Sequence, residues 1–123
     1  MQASTDPDLH ERWVICLCAE WCGACREWRD LFAQAAAAHP DLRFGWVDVE
    51  DEAAAMGDVD IETFPTLLVA NGGRPLFFGP IQPSGAQLSR LLANLLQDGA
   101  APSGVTRETS ALLARLSAVL LNS

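Results

Sequence analysis

Basic residues are scarce in this 123-residue chain: 8 Lys and Arg against 16 Asp and Glu give a formal net charge of −8. A surface of that sign repels phosphate backbones and anionic headgroups, which argues against a nucleic-acid interface and a polybasic membrane contact. It identifies no partner, because an acidic surface is the ordinary condition of a soluble protein. Long hydrophobic runs are lacking too, and no stretch approaches the length of a membrane span. The opening residues, Met1 to Asp8, have neither the basic segment nor the apolar core of a secretory signal. A cytoplasmic, reducing location is the expectation. Internal repeats and low-complexity tracts are missing as well. What is present is 50% apolar, too hydrophobic for a disordered segment and long enough for one domain with a core of its own.

The 4 cysteines crowd into one stretch, Cys16 to Cys25. In a reducing compartment such a cluster is not expected to be a structural disulfide framework. Cys22-Gly23-Ala24-Cys25 follows the apolar run Trp13-Val14-Ile15-Cys16-Leu17 and precedes a segment of helical character from Arg26 to Ala38. A Cys-x-x-Cys where a strand hands over to a helix reads as a redox-active dithiol. Two intervening residues put both sulfurs on one face of the first helical turn. Unpaired N–H groups and the positive end of the helix dipole favour the thiolate of the first cysteine. Cys22 is thus the expected nucleophile and Cys25 the resolving thiol.

Other readings of these cysteines stand beside that one: a zinc half-site, two ordinary buried thiols, or a metal site built from Cys16, Cys18, Cys22 and Cys25. A strand would present its first two sulfurs away from the helix-start pair, which makes tetrahedral closure hard. Neither a metal nor another cofactor is expected. Cys16 and Cys18 share one strand face because side chains alternate. Core packing is the expected role of Cys16, and Cys18 is a candidate accessory thiol.

The rest of the chain supplies a coarse order of elements. Residues 5–12 suggest a short helical turn opened by Pro7, and residues 13–18 a buried strand. A helix over 23–38 is stopped by His39-Pro40, and a strand over 42–49 is followed by a short helix over 50–57. Apolar runs at 66–70 and 75–78 flank Asn71-Gly72, a strong hairpin signal. Ser84-Gly85-Ala86-Gln87 has the form of a capping box. It opens a helix with Leu88, Leu91, Leu92, Leu95 and Leu96 on one face. Residues 1–98 form the expected domain and 99–105 a linker. Residues 106–123 form a second amphipathic helix with Leu112, Leu113, Leu116, Val119 and Leu120 on its stripe. That stripe must be buried somewhere: against its own domain, or in a dimer or partner contact through residues 106–121.

Thr63-Phe64-Pro65-Thr66 opens the third strand, where a proline is unusual because it gives no N–H to the ladder. Together with Trp21-Cys22-Gly23-Ala24-Cys25, these residues resemble the thioredoxin family, in which a Trp-Cys-Gly-x-Cys site faces a cis-proline in an aliphatic-Pro-Thr context. Ala19-Glu20 and Asn71-Gly72 are similar too, and the resemblance spans about Arg12 to Asp98. It implies an α/β, thioredoxin-like fold: a mixed central sheet flanked by helices, with the family's first N-terminal strand missing or shortened. By the same resemblance Trp21 offers a substrate an apolar edge, and Pro65 is cis and keeps an N–H away from the sulfurs. The backbone of Phe64, where the family commonly has isoleucine, would pair with an extended substrate. Gly79 would match the glycine of a later loop bordering the groove.

Departures from the family pattern are equally specific. Ala24 stands for proline inside the motif, Cys16 for a buried aspartate, Trp46 for its lysine partner and Cys18 for a tryptophan. A buried thiol is a poor base near neutral pH, which leaves Glu20, Asp48 and Glu50 as candidate proton acceptors if they are more than solvated charges. The resulting expectation is a thiol–disulfide oxidoreductase that reduces or exchanges protein disulfides through Cys22 and Cys25. Its partners would be a disulfide-containing client and a recycling reductase. The alternative is a binding or chaperone-like module that keeps the fold and uses its groove without turnover.

Overall fold

The computed structural model describes residues 12–19, 22–82, 84–95 and 102–121. In chain order these form β1 (Arg12–Cys18), α1 (Gly23–Ala38), β2 (Arg43–Asp48), α2 (Ala53–Met56), β3 (Thr66–Asn71), β4 (Arg74–Pro80), α3 (Gly85–Leu95) and α4 (Arg107–Leu121). The expected turn of helix over 5–12 lies outside the described residues, apart from Arg12, which opens β1.

The four strands make one mixed sheet in the order β2-β1-β3-β4. β1 runs parallel to β2, with Cys16 opposite Trp46, and antiparallel to β3. The parallel pair is joined by α1, as a crossover requires. β1 is central and covered on both faces, and Trp13 to Cys18 are all at most 1% exposed. This is why it reads as an unbroken apolar run rather than an alternating one.

Strand parity divides the core in two. On one face Val14, Cys16, Cys18, Leu67 and Val69 meet Trp28 and Phe32 of α1 and Leu88, Leu92 and Leu95 of α3. On the other, Trp13, Ile15, Leu17, Leu68 and Ala70 meet Met56 of α2 and Leu112, Leu113 and Leu116 of α4. α2 has only four residues, so most of the helical cover of the second face comes from α4. The middle of the apolar stripe of residues 106–121 is therefore spent on the chain's own sheet. Leu112, Leu113 and Leu116 are at most 3% exposed, while Val119 and Leu120 at the far end of the stripe are half-buried and line a cleft.

Specific bonds fix α4 in place. The Arg115 guanidinium donates to the carbonyls of Ala55 (2.5 Å) and Met56 (3.3 Å) at the end of α2, where cationic groups suit the last carbonyls of a helix. Thr106 and Thr109 cap the start of α4 reciprocally, each backbone N–H donating to the other's hydroxyl at 3.0 and 3.4 Å. Within the segment expected to be a linker, Ser103 pairs with the outer edge of β4. Its N–H donates to Leu76 (2.9 Å), and its carbonyl accepts from Phe78 (3.0 Å).

The short helix expected over 50–57 is trimmed to Ala53–Met56. The Asp48 carboxylate accepts the N–H groups of Glu50 (2.8 Å) and Asp51 (3.2 Å), and an Asx-type turn of this kind competes with helix. Gly57, at φ 60, closes it. Of the expected capping box at α3, the Ser84 half is present: its hydroxyl accepts from Gln87 N–H at 3.3 Å. The Gln87 side chain bonds to Gln82 instead.

Candidate active site

β1 ends at Cys18, and the chain turns into α1 within four residues. Cys22 occupies the N-cap position with extended backbone (φ −83, ψ 121), and its N–H donates to Ala19 at 3.0 Å. No side chain caps this helix start. Cys22 is half-buried and carries a free thiol. Gly23 beside it is exposed, with open space where a side chain would stand, and Ala24 is half-buried.

One turn into α1, Cys25 faces the sheet and is 1% exposed. It is disulfide-bonded to Cys18, with the two Cα atoms 5.9 Å apart. The bonded pair is thus Cys18–Cys25, and the Cys22–Cys25 dithiol expected from the motif is not joined. The reason lies in direction. Cys18 is the last residue of β1 and shares the α1-facing side with Cys16, so an inward-pointing Cys25 meets it before it meets the outward N-cap. Sequence parity carried this signal, but the familiar spacing of Cys22 and Cys25 outweighed it.

Cys16 continues the row of sulfurs. Its Sγ lies 3.6 Å from Cys18 Sγ and accepts a hydrogen bond from Trp28 Nε1 at 3.2 Å. Because Cys18 in a disulfide has no proton, Cys16 is the donor of the sulfur–sulfur contact. Burial pushes the Cys16 thiol up from 9.0 to about 12, with the Trp28 N–H pulling the other way. It keeps its proton at neutral pH and does not act as a base there. Asp48 lines a cleft of about 430 Å³ with Cys25, Arg26, Arg29 and Trp46, but one of its oxygens already holds the turn after β2. Glu50 is exposed. Glu20 and Trp21 lie outside the described residues. Among the described residues no group of three or more His, Cys, Asp or Glu is arranged to hold a metal ion.

The entrance to β3 supplies another part of the site. The Phe64–Pro65 peptide is cis, and Pro65 is buried. Its carbonyl accepts from Ile81 N–H at 3.1 Å, and the Thr66 hydroxyl donates back to Thr63 at 2.6 Å. Phe64 and Cys22 are half-buried and pack against the same core cluster. Gly79 is not in a loop: it lies within β4, opposite Leu67, because the β3–β4 ladder runs on to Thr66 and Pro80. That register carries the end of β4 alongside the residue that follows Pro65.

Against known proteins, residues 6–97 match the thioredoxin family model. The chain belongs to the thioredoxin family. A Streptomyces coelicolor protein named as a thioredoxin is 37% identical over 62 residues, which is 50% of this chain and 46% of that protein. The thioredoxin of Alicyclobacillus acidocaldarius is 34% identical over 82 residues, 64% of this chain and 76% of the relative. The chain thus spans less than half the length of the first of these relatives. In fold, it is similar to oxidised mitochondrial thioredoxin 3 of Saccharomyces cerevisiae, with a TM-score of 0.62 and 23% identity over 72% of this chain and 82% of the other. A thioredoxin of Fasciola hepatica gives 0.59 and 24%, over 72% and 84%. The fold is thioredoxin-like.

Within this thioredoxin-family chain, two departures from the pattern are neighbours in space. Cys16 and Trp46, which by the resemblance would stand for an aspartate and its lysine partner, are register partners across β1 and β2. Trp46 packs edge-on to Phe32 at 5.7 Å and lies under the Arg29 guanidinium at 5.2 Å. Among the described residues, no helix is long and apolar enough to cross a membrane.

Proposed function

We propose that this protein is a thiol–disulfide oxidoreductase acting on protein disulfides, with Cys22 as the attacking thiolate and Cys25 as the resolving thiol. The carrying observation is the contrast between the sulfurs: Cys22 sits at an uncapped helix start on the accessible side, while Cys25 lies one turn behind it, at the edge of the core. The Cys22 thiolate attacks one sulfur of the client, forming a mixed disulfide and expelling the other sulfur as a thiolate. Cys25 then attacks Cys22 Sγ and releases the second client thiol, its own proton leaving with that thiol or to water. The client gains two electrons, and the protein becomes a disulfide for a recycling reductase to reopen. By the family resemblance, the backbone at Phe64 would pair with an extended client strand and Trp21 would offer it an apolar edge. A cytoplasmic, reducing compartment suits this direction of electron flow.

Reduction of insulin driven by dithiothreitol tests the assignment. Cys22→Ser is expected to fall to the rate of the reductant alone, and Cys25→Ser to accumulate a mixed disulfide with the client. Full activity in Cys22→Ser would overturn the assignment. One observation favours the second reading, a binding module: the resolving sulfur is tied to Cys18, and its would-be base is a protonated thiol. On that reading client binding survives Cys22→Ser and is indifferent to reduction.

A further inference from the structure

Three sulfurs other than Cys22 lie in a continuous buried row: Cys16 at 3.6 Å from Cys18, and Cys18 bonded to Cys25. The dithiol mechanism uses only one of them. Cys18 and Cys25 are each at most 1% exposed, and their Cα separation of 5.9 Å is that of an ordinary disulfide. Cys25 therefore has two covalent partners within reach, one toward solvent through the motif spacing and one toward the core.

We propose that Cys18 is a third catalytic thiol, which takes the disulfide over from Cys22 so that oxidation comes to rest on the buried Cys18–Cys25 pair. The proposal rests on the oxidoreductase reading above. After Cys25 has resolved the mixed disulfide, the Cys22–Cys25 bond is present. Cys18 Sγ attacks Cys25 Sγ; the Cys18–Cys25 bond forms, the Cys22–Cys25 bond breaks, and Cys22 leaves as a thiolate. The proton lost by Cys18 is taken up by Cys22 or by water. The two electrons given to the client now come from Cys18 and Cys25, and the only oxidant used is the client disulfide.

The surroundings suit this exchange. The inner bond lies in the core cluster that also holds Phe32, Trp28 and Leu67, and both of its sulfur-bearing residues are at most 1% exposed, so a bulky protein reductant meets Cys22 before it meets this bond. The Cys16 S–H, held by Trp28, points at the sulfur that must depart when the inner bond reopens. A donor in that position stabilises a developing thiolate. The oxidised protein then keeps the half-buried Cys22 as a free nucleophile, and the one other thiol, Cys16, is fully buried behind Cys18. Oxidation converts a two-thiol reductant into a one-thiol acceptor.

The sequence allows a direct test. Cleavage after Glu20 and Arg26 separates Trp13–Glu20, holding Cys16 and Cys18, from Trp21–Arg26, holding Cys22 and Cys25. Fully reduced protein is mixed with one equivalent of insulin, denatured, blocked with an alkylating agent, digested without reductant and read by tandem mass spectrometry. The expected product is the two peptides joined through Cys18 and Cys25 with Cys22 alkylated, in excess over the Cys22–Cys25 loop by about tenfold or more, or about 1.4 kcal/mol. Cys18→Ala should lose the joined peptide and protect Cys22 from alkylation. A Cys22–Cys25 loop as the main product in the wild type overturns the relay and leaves the oxidoreductase reading standing. Four alkylated cysteines with insulin still oxidised would remove both. A Cys22→Ser protein that forms the joined peptide as fast as the wild type would also overturn the relay, since Cys22 would then not be its entrance.

Discussion

Alkaline titration of stability isolates Cys16, a residue the chemistry does not consume. Burial raises this thiol from 9.0 to about 12 in the folded protein. In the unfolded chain it ionises at its ordinary value, so above about pH 9 the unfolded state sheds a proton that the folded state keeps. With fewer protons bound in the unfolded state, stability must fall as pH rises. The contribution is whole below about pH 9 and lost progressively toward about pH 12. An interval of about 3 pH units at about 1.36 kcal/mol each sets a limit near 4 kcal/mol, with about 2 kcal/mol already lost by about pH 10.5. The composition makes the measurement clean. The chain has no Tyr and no Lys, so in that window the titrating side chains are thiols, and in the oxidised protein Cys18 and Cys25 are bonded. Urea unfolding of the oxidised protein between about pH 8 and about pH 10.5, followed by tryptophan emission, gives the slope directly. Cys16→Ser keeps an acceptor for Trp28 Nε1 and removes the titrating group. Its alkaline slope should be flatter by the full amount. Coincident slopes for the two proteins would refute the reasoning, as would alkylation of Cys16 in the native protein at pH 9.

Other perturbations test the frame around the site. Leu112→Ala removes three carbons from a fully buried position on the face opposite the sulfurs. It should cost about 3–4 kcal/mol, read as a lowered urea midpoint, while Ala111→Gln on the exposed side stays within about 0.5 kcal/mol. A loss below about 1 kcal/mol for Leu112→Ala would mean that α4 is not part of the core. Reduction of the Cys18–Cys25 bond opens a closure between residues 7 apart in sequence. It should lower stability by about 2 kcal/mol on the chain-entropy model, and equal midpoints for the two redox forms would contradict this. Arg115→Met removes the donors to Ala55 and Met56; a loss of about 1–2 kcal/mol is expected in the same assay, since the Ala55 carbonyl loses its Arg115 donor and Met56 keeps only the Val59 N–H.

Much of the fold was legible because its signals are local. β1 announced itself as an apolar run, α1 stopped at His39-Pro40, and Asn71-Gly72 placed the β3–β4 turn. Each depends on neighbours in sequence. What did not follow depends on packing between distant segments. Whether the stripe of α4 faces its own sheet or a partner cannot be read from the stripe, because periodicity gives a face and not what covers it. The answer is set by a second sheet face that α2 is too short to cover. The family resemblance matches Gly79 to the glycine of a later loop, while the apolar run it follows ends at Phe78. The ladder continues through Gly79 and Pro80 because backbone pairing with Leu67 and Thr66 persists without large side chains.

The sulfurs show the same division more sharply. Spacing alone pairs Cys22 with Cys25, but spacing measures distance along the chain and says nothing of which way the strand before it points. Strand parity aims both Cys16 and Cys18 at α1, and the helix turns Cys25 back toward them. Two of the substitutions then act together. An aspartate and its lysine partner would bring a buried charge pair that needs continuous solvation by partners. Cys16 and Trp46 replace them with a protonated thiol and an apolar ring, and the thiol's bond to Trp28 satisfies the one polar group left behind. On the core side of Cys25 the neighbouring groups are thereby sulfurs, while the carboxylates of Asp48, Asp51 and Glu52 line the cleft on its other side. Chemistry on the core side is suited to passing a disulfide from one sulfur to the next, in which each step expels a thiolate that can take a proton, because the protonated Cys16 does not serve as a base there.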